Sequence, residues 1–450
     1  MNVFLVSNSA RGEAIADALA RSPKKPDIYV ASSVRTPGFL KLAKQVDIVD
    51  MLALSKIVDL ARKCKPEFAI IAPDDPIGAG LADRLEAVGI PCVAPKKNLA
   101  RIESSKSFAR ELMKKYGIDA SPKFRVFTMS SVDQKSQTEI DIRAYLEHEL
   151  HGHYVVKYDG LKGGKGVKVS GEHLMTIDVG AKYAMECLAE CGTVVIEEKL
   201  VGVEFSLMSF VSGTQVVDMP AVQDHKRANN EDTGPNTGGM GTYSDVGHGL
   251  PFLMKEDVEQ ASAITKKIAD ALMKECGEPY KGILYGGFIA VAEGVRVIEY
   301  NARFGDPEVL NVLPILSSDF VAICQAIIGG TLSPDLVQFE KKATVCKYIV
   351  PKSYPEAKKE VGQKVLVPEE ISENTRVYFG DVSLDNTNAI LLGGSRSIGI
   401  VGIGDSLAEA EQAAASYCEK VVGPVRYRTD IGTVDSVQRR VDLMHKLRSH

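Results

Sequence analysis

The 450-residue sequence has no C-x-x-C pair, no surplus of positive charge, and no apolar run near the roughly 18 residues that cross a bilayer. Each absence excludes a class. The eight cysteines are scattered, and Cys187 and Cys191, four apart in a helical pattern, read as packing rather than ligation. The chain therefore reads as a reduced, cytoplasmic one and not as a disulfide scaffold. A net charge of −5 gives nucleic acid no general attraction, so any anion site has to be local. The N-terminus, MNVFLVSNSARGEA, lacks the basic region and long apolar run of a signal peptide. Neither a Walker loop nor a G-x-G-x-x-G turn after the first strand is present, so an NAD module is a poor reading of NVFLV. What remains is ordinary globular composition, 45% hydrophobic and 25% charged. At roughly 150 residues per domain the length suggests about three domains.

Residues 1–103 alternate strands and helices. NVFLV (2–6), DIYVA, VDIVD, FAIIA and PCVA read as strands, and GEAIADALARS, KIVDLARKC and GLADRLEAVG as helices. That alternation predicts a Rossmann-like parallel sheet, with ligands at the strands' carboxyl ends, where SNSARG (7–12) and APDDPIGAG (72–80) lie. A second block, 104–192, starts with the helix SSKSFARELMKKYG. It continues through a polar loop from Ser130 to Glu139, a strand–glycine turn–strand unit (153–171) and a helix to 191. A third, 193–332, opens with the strand TVVIEEKL and a meander turning at Ser212-Gly213. It then holds a long helix (255–276) and the hairpin GILYGGFIAVA/VRVIEYNAR. Between meander and helix lies DHKRANNEDTGPNTGGMG (224–241), eighteen residues that cannot build a core and read as a long polar loop. The last block, 333–450, has short strands and the helix SLAEAEQAAASYCEKV, N-capped by Ser406, and reads as a small α+β module. The fold class is thus α/β and α+β, multidomain.

Three segments carry chemistry. DGLKGGKGV (159–167) places glycines and lysines in a turn between strands, where backbone N–H groups can approach an anion; a plain hairpin with solvated lysines is the alternative. In VIEYNARFGDPE (297–308) strand alternation puts Glu299, Asn301 and Arg303 on one face, with Val297 behind them. A carboxylate beside an amide oxygen suits a hard cation such as Mg²⁺, and the arginine suits a γ-phosphate; an edge strand with a salt bridge to Asp306 is the alternative. Asp306 could equally cap the following helix. In VIEEKLVGVEF (195–205) a strand ending in carboxylates could hold an adenosine, or could simply be solvated. The three histidines of HELHGH (148–153) cross a helix end into a strand, so their rings should not converge on a metal.

In this order the segments resemble the glycinamide ribonucleotide synthetase (phosphoribosylamine–glycine ligase) family of the ATP-grasp superfamily. The likeness is carried by SKSFAR (105–110), VVKYDGLKGGKGV (155–167), VIEEKLVGVEFSLM (195–208), QDHKRANNEDTGPNTGGMGTYS (223–244), GILYGGF, VIEYNARFGDPEVLNVLP (297–314) and YRTDIG (427–432). It covers almost the whole chain, and the DHKR…GGMG segment is its most specific part. The resemblance implies an N-terminal Rossmann-like domain at 1–103, an ATP-grasp small lobe with its linker helix at 104–192, a large lobe at 193–332 and a C-terminal domain at 333–450. It implies ATP, glycine and 5-phosphoribosylamine as substrates, Mg²⁺ or Mn²⁺ as the metal, a glycyl phosphate intermediate in purine biosynthesis, and a monomer or weak homodimer. Carried over by position, Lys106, Lys157, Gly163, Gly164, Lys165, Gly166, Glu197, Lys199, Leu200 and Glu204 are the ATP residues, and Glu299 and Asn301 the metal ligands. Arg303, Asp224, Lys226 and Asn236 are the catalytic candidates. The substrate side takes Asn8, Arg11, Asp74, Asp224, Lys226, Arg227, Thr233, Pro235, Thr237, Gly238, Gly239, Met240, Asp306 and Pro307. Two departures stand out. The family's glycine-rich first turn is Ser7-Asn8-Ser9-Ala10-Arg11-Gly12-Glu13 here, and Gly287 stands where some relatives have a metal-binding side chain. A related ligase with another acid or amine is the nearest rival reading. A regulatory nucleotide binder is disfavoured by the intact Lys106, Lys157, Glu299, Asn301 and Arg303.

Overall fold

The structure is a computed structural model that describes residues 1–129, 135–162 and 166–449. Strands β1 (Asn2–Val6), β2 (Asp27–Ser32), β3 (Gln45–Ile48), β4 (Phe68–Ile71) and β5 (Cys92–Val93) form a parallel sheet in the order β3-β2-β1-β4-β5. The central strands β1 and β4 are almost wholly buried, which is why NVFLV and FAII are continuous apolar runs. The chain leaves β1 towards β2 and later returns as β4 on its other side. Strand order reverses there, so a crevice opens at the carboxyl ends of β1 and β4. Asn8 and Arg11 follow β1, and Asp74 follows β4.

The linker helix Lys106–Lys115, capped by the Ser105 hydroxyl, leads into the small lobe. Strands β6 (Phe124–Thr128), β7 (Tyr154–Tyr158), β8 (Val167–Val169) and β9 (Thr193–Glu198) pair there in the order β6-β9-β7-β8. The sequence reading placed β9 at the start of the large lobe; its hydrogen bonds put it inside the small-lobe sheet. The expected loop Ser130–Glu139 is also corrected: Lys135–Ala144 is helical, and 130–134 lie outside the described residues. Buried Ile142 anchors that helix, and Arg143 pairs with Glu139 one turn back, which outweighs the polar composition. The helix Ile177–Cys191 crosses β7 at Gly180, where a Cβ would come within 2.1 Å of the Tyr154 hydroxyl.

Beyond it, β10 (Val203–Ser212) and β11 (Gln215–Asp218) form the expected meander. The stretch read as one long loop is instead largely paired. It contains β12 (Gln223–Asp224), β13 (Arg227–Asn229), β14 (Thr233–Asn236) and the first residue of β15 (Gly241–Ser244). β13 and β14 make a separate two-stranded ribbon, while β12 and β15 pair with each other. Polar side chains misled the reading because the ribbon buries only Ala228 and exposes all of β14, so it shows no apolar alternation. β16 (Lys281–Ala290) pairs along the whole of β10, and β17 (Val295–Asn301) completes the large-lobe sheet β11-β10-β16-β17.

The C-terminal domain has β18 (Ala343–Pro351), β19 (Thr375–Phe379), β20 (Val382–Leu384), β21 (Ile390–Leu392), β22 (Ile398–Gly404) and β23 (Val425–Arg426). Its main sheet runs β12-β15-β18-β22-β19, so the end of the 224–241 stretch is a strand of this domain. The helix Leu407–Cys418 is capped by Ser406 as expected. A helix not foreseen, Val434–Arg448, follows it, capped by Thr433. Apolar side chains of the N-terminal domain, large lobe and C-terminal domain merge into one core. The small lobe keeps a second core of its own around Tyr145, Leu146, Tyr154, Val156, Leu188 and Ile196.

Candidate functional site

A cleft of about 890 Å³ lies where these units meet. Its floor is set by an irregularity in β17. Opposite it, Gly287 pairs with Glu299 and Phe288 with Val297, leaving Ile298 as an extra residue. Strict alternation would put Val297 on the face of Glu299, as the sequence reading had it. The bulge reverses that: Val297 and Tyr300 are buried, while Glu299 and Asn301 face the cleft and Arg303 follows just past the strand end. Neither Glu299 nor Asn301 spends its side chain on a protein partner among the described residues, which leaves a carboxylate and an amide oxygen free. These are donors of the kind a hard cation takes. Burial would raise Glu299, but the Lys226, Lys106 and Lys157 ammoniums outweigh it and hold the carboxyl below its ordinary value.

Behind the floor is a buried charged triad. Arg110 Nε and Nη2 lie 2.6 and 3.0 Å from the two carboxylate oxygens of Glu197, and Lys157 Nζ lies 2.7 Å from Oε2. Arg110 Nη2 also donates to the carbonyls of Val297 (3.0 Å) and Ile298 (2.8 Å), and Lys157 Nζ to Ile298 O (3.0 Å). The linker helix, the small lobe and the bulge are thus tied at one point. Burial opposes ionisation of Glu197, yet the two cations win and hold it at about 2. Burial pushes the Lys157 ammonium down, against the pull of Glu197. At the mouth, Lys106 Nζ donates to Gly160 O (3.1 Å), and Asp159 accepts from Ser107 N (3.1 Å), which fixes the base of the glycine-rich turn to the helix N-terminus.

Arg303 does not pair with Asp306. Its Nη2 lies 3.1 Å from Glu103 Oε1, while Glu103 Oε2 accepts from Ala302 N at 2.7 Å. Asp306 accepts from Tyr348 Oη (2.6 Å) and lies 3.4 Å from Arg396 Nη1, which donates in turn to the Asp306 and Gly238 carbonyls. Nor does Asp306 cap the helix that follows, Glu308–Val312. Arg11 donates to Phe304 O (2.7 Å) and so joins the first domain to the same turn. Asp224 Oδ1, Asp306 Oδ2, Arg11 Nε and Arg303 Nε are buried polar atoms with no partner among the described residues. Four such atoms lining one cleft mark it as a place for a polar ligand.

Asp224 sits beside Glu308, whose Oε1 accepts from Tyr285 Oη at 2.9 Å. Burial first, then the Glu308 charge, raises the Asp224 carboxyl well above its ordinary value. Lys226 lies 3.4 Å from Glu204, whose charge raises its ammonium against burial. Gly239 has φ 113°, and a Cβ there would come within 2.6 Å of both Asp224 Oδ1 and Pro307 Cδ, so only glycine lets the backbone pass. Thr237 is tethered to Lys226 O through its N–H (2.7 Å) and hydroxyl (2.9 Å).

Most of the residues singled out from sequence therefore line one cleft, from Arg11, Asp74, Lys106 and Lys157 through Gly166, Glu197, Lys199, Leu200 and Glu204. Asp224, Lys226, Arg227, Asn236, Thr237, Gly238, Glu299, Asn301, Arg303 and Asp306 complete the set. Six do not line it. Met240 is buried, Thr233 and Pro235 are exposed on the ribbon, Gly239 is buried against Asp224 and Pro307, Pro307 is buried too, and Asn8 is half-buried off the lining. Gly163, Gly164 and Lys165 lie outside the described residues. The Lys199 N–H is spent on His153 O (3.0 Å). His148, His151 and His153 are all exposed. Sequence reasoning missed Glu103, Arg110, Tyr285, Glu308 and Arg396, whose side-chain hydrogen bonds to nitrogen or oxygen reach from 23 residues away (Tyr285 to Glu308) to 199 (Glu103 to Ala302). It also missed the C-terminal helix, although Thr433 before an acidic first turn and a basic last turn was a usable signal.

Three domain models match the chain: phosphoribosylglycinamide synthetase N domain over 1–103, ATP-grasp (A) domain over 104–309 and C domain over 344–434. A curated phosphoribosylamine–glycine ligase from Methanococcus maripaludis is 44% identical over 453 residues, covering 99% of this chain and 100% of its own. One from Methanosarcina barkeri is 42% identical over 454 residues and covers both chains fully. A crystal structure of a phosphoribosylamine–glycine ligase from Thermotoga maritima matches with a TM-score of 0.79 at 26% identity, covering 96% of this chain and all of that one.

Proposed function

The chain belongs to the phosphoribosylglycinamide synthetase family, and on that footing we propose how its cleft carries out the reaction. It is an ATP-dependent ligase of purine biosynthesis that joins glycine to 5-phosphoribosylamine, giving glycinamide ribonucleotide, ADP and phosphate. The observation that carries the residue-level reading is the convergence in one cleft. The Glu299/Asn301/Arg303 face, the lysines Lys106 and Lys157, the 224–241 stretch and Arg11 of the first domain all meet there.

In the proposed sequence a glycine carboxylate oxygen attacks the γ-phosphorus of ATP. The bond to the β–γ bridging oxygen breaks, and ADP leaves with that electron pair. The ribosylamine nitrogen then attacks the carbonyl carbon of the glycyl phosphate, the C–O bond to phosphate breaks, and the nitrogen gives up a proton. Transfer of this kind needs alignment and charge neutralisation more than a protein nucleophile. Lys106, Lys157 and Arg303 supply positive charge, with Arg303 held in aim by Glu103. Glu299 and Asn301 would hold the divalent metal, Mg²⁺ or Mn²⁺, which neutralises the β- and γ-phosphate oxygens when bound. Glu197 keeps Lys157 in place, while Glu204, Lys199 and Leu200 border the adenosine end. Asp224, Lys226 and Asn236 face glycine and the amine. Arg11, Asp74 and Asp306 face the phosphosugar, and Asn8 serves the same group, although the turn that carries Asn8 and Arg11 lacks several of the family's glycines.

A cytoplasmic monomer or weak homodimer completes the reading. All eight cysteines are free, and no helix among the described residues is long and apolar enough to cross a membrane. The test is to supply ATP, glycine and 5-phosphoribosylamine and follow ADP release. No turnover with that pair, together with turnover on another acid, would overturn the substrate assignment.

A further inference from the structure

We propose that the C-terminal segment 426–448 is a clamp that positions the β13–β14 ribbon, with Arg428 and Arg440 as its positioning residues. The inference rests on the reading of 224–241 as the substrate-side wall. The helix part of this segment, Val434–Arg448, lies past the residues matched by the C-domain model.

The ribbon pairs with itself, but its tip is held from outside. Its tip has Glu231 at φ 59° and Asp232 at φ 52°, left-handed conformations that such residues keep only when their surroundings impose them. Those surroundings are the C-terminal segment. Asn230 Nδ2 donates to Thr429 Oγ1 (2.8 Å), and Thr429 N donates back to Asn230 Oδ1 (3.2 Å). Glu231 N donates to Asp430 Oδ2 (2.9 Å), and Arg426 Nη1 to Ala228 O (2.7 Å). Arg428 Nη1 reaches both Arg227 O (3.0 Å) and Asp232 Oδ1 (2.9 Å), and Arg440 pairs with the other oxygen of Asp232.

The clamp is rooted on both sides. Arg428 is fully buried and forked onto Asp430 at 2.9 and 2.7 Å. Beneath it, buried Lys347 donates to Thr429 O and Ile431 O, both at 2.9 Å, and lies 3.0 Å from Glu411. At the far end of the helix, Arg448 forks onto Asp257 at 2.9 and 2.8 Å. Asp257 is the capping carboxylate of the helix Lys255–Cys276, accepting from Met254 N at 2.8 Å. The helix therefore spans from the ribbon to the large lobe, with Arg439, Arg440 and Leu443 on the rim of the cleft. Through Arg227 and Asp232 it sets where Lys226, just before the ribbon, and Asn236, the last residue of β14, meet a substrate. Buried His225 lies beside both arginines, and burial first, then the Arg428 and Arg440 charges, hold its imidazole well below its ordinary value.

Steady-state kinetics of full-length Arg440→Ala and Arg440→Lys test this. Arg440→Ala should raise KM for glycine or ribosylamine on the order of ten-fold, the scale of a displaced positioning group. KM for ATP and the melting temperature should stay at parent values, and Arg440→Lys should restore most of the loss. Asp232→Asn should move the same KM. Unchanged KM for both substrates, or a rise in all three KM values with a lower melting temperature, overturns the clamp. Asp224→Ala run in parallel separates the failures. If it moves substrate KM while Arg440→Ala does not, the clamp alone is wrong. If neither moves it, the substrate-wall reading falls as well.

Discussion

Replacing Glu197 by Gln keeps the shape of the side chain and removes one charge from a triad whose members are each 5% exposed or less. Arg110 and Lys157 are then left as two buried cations without the carboxylate that paired them, facing the new amide and the carbonyls of Val297 and Ile298. Breaking a buried pair from one side costs about 3–5 kcal/mol, because the partner's desolvation is no longer offset. Against a total stability of about 5–15 kcal/mol that is a large loss. For a unit of roughly 100 residues, the size of the small lobe that carries Glu197, it lowers the melting temperature by roughly 20 °C. The sign with pH follows from Glu197 being held at about 2, below its unfolded value of 4.5. Its contribution is present above the unfolded value and fades as pH falls towards 2, so pH 7 reads it in full. Turnover should fall as well. Burial already pulls the Lys157 ammonium down, and without Glu197 it loses the charge it offers to phosphates. Thermal and urea unfolding followed by circular dichroism measure the loss. The double variant Glu197→Gln/Lys157→Met should lose less than the sum of the single variants, because no lysine is stranded. A Glu197→Gln protein within about 1 kcal/mol of the parent, or an additive double variant, refutes the account of the triad.

Glu299→Gln should cut turnover on the order of 100-fold at saturating Mg²⁺ with an unchanged melting curve; a near-normal rate removes Glu299 from the metal role. Asp224→Ala should weaken use of glycine or ribosylamine more than that of ATP, read as separate KM values; no change in either makes Asp224 a mere loop charge. Glu13 is buried between the first and last domains, accepting from Phe379 N at 2.6 Å and from Thr36, and burial lifts its carboxyl to about 7. The folded chain thus holds a proton there that the unfolded chain releases from about 4.5 upward. Stability should fall by about 3 kcal/mol as pH rises from 4.5 to 7, and Glu13→Gln should flatten that slope in unfolding titrations. A slope unchanged by the substitution removes Glu13 from the account.

The parallel sheet of the first domain and the hairpin of β16 and β17 were legible because burial writes itself into apolar runs. The residue types of the cleft were legible too, since Glu-x-Asn-x-Arg and the glycine–lysine turn are unusual on physical grounds alone. Three things were not. The bulge at Ile298 leaves no compositional trace, yet it decides which side chains of β17 face the cleft. The partners of Arg303 and Asp306 come from Glu103 and Arg396, distant in sequence, so the local pairing looked natural and was wrong. The β13–β14 ribbon buries no side chain but that of Ala228, and what pins it is the buried guanidinium of Arg428, about 200 residues away.

Two hydrophobic cores, with the small lobe keeping its own, predict two melting transitions rather than one, read by calorimetry of the ligand-free chain. What joins them beside the cleft is the polar knot at Glu197 rather than an apolar seam. A nucleotide seated in the cleft as proposed would touch both units and act as a weld, its binding free energy drawing two separate transitions towards a single cooperative one. The small lobe would then be the first part of the chain to yield to a protease, and the part most protected by substrate.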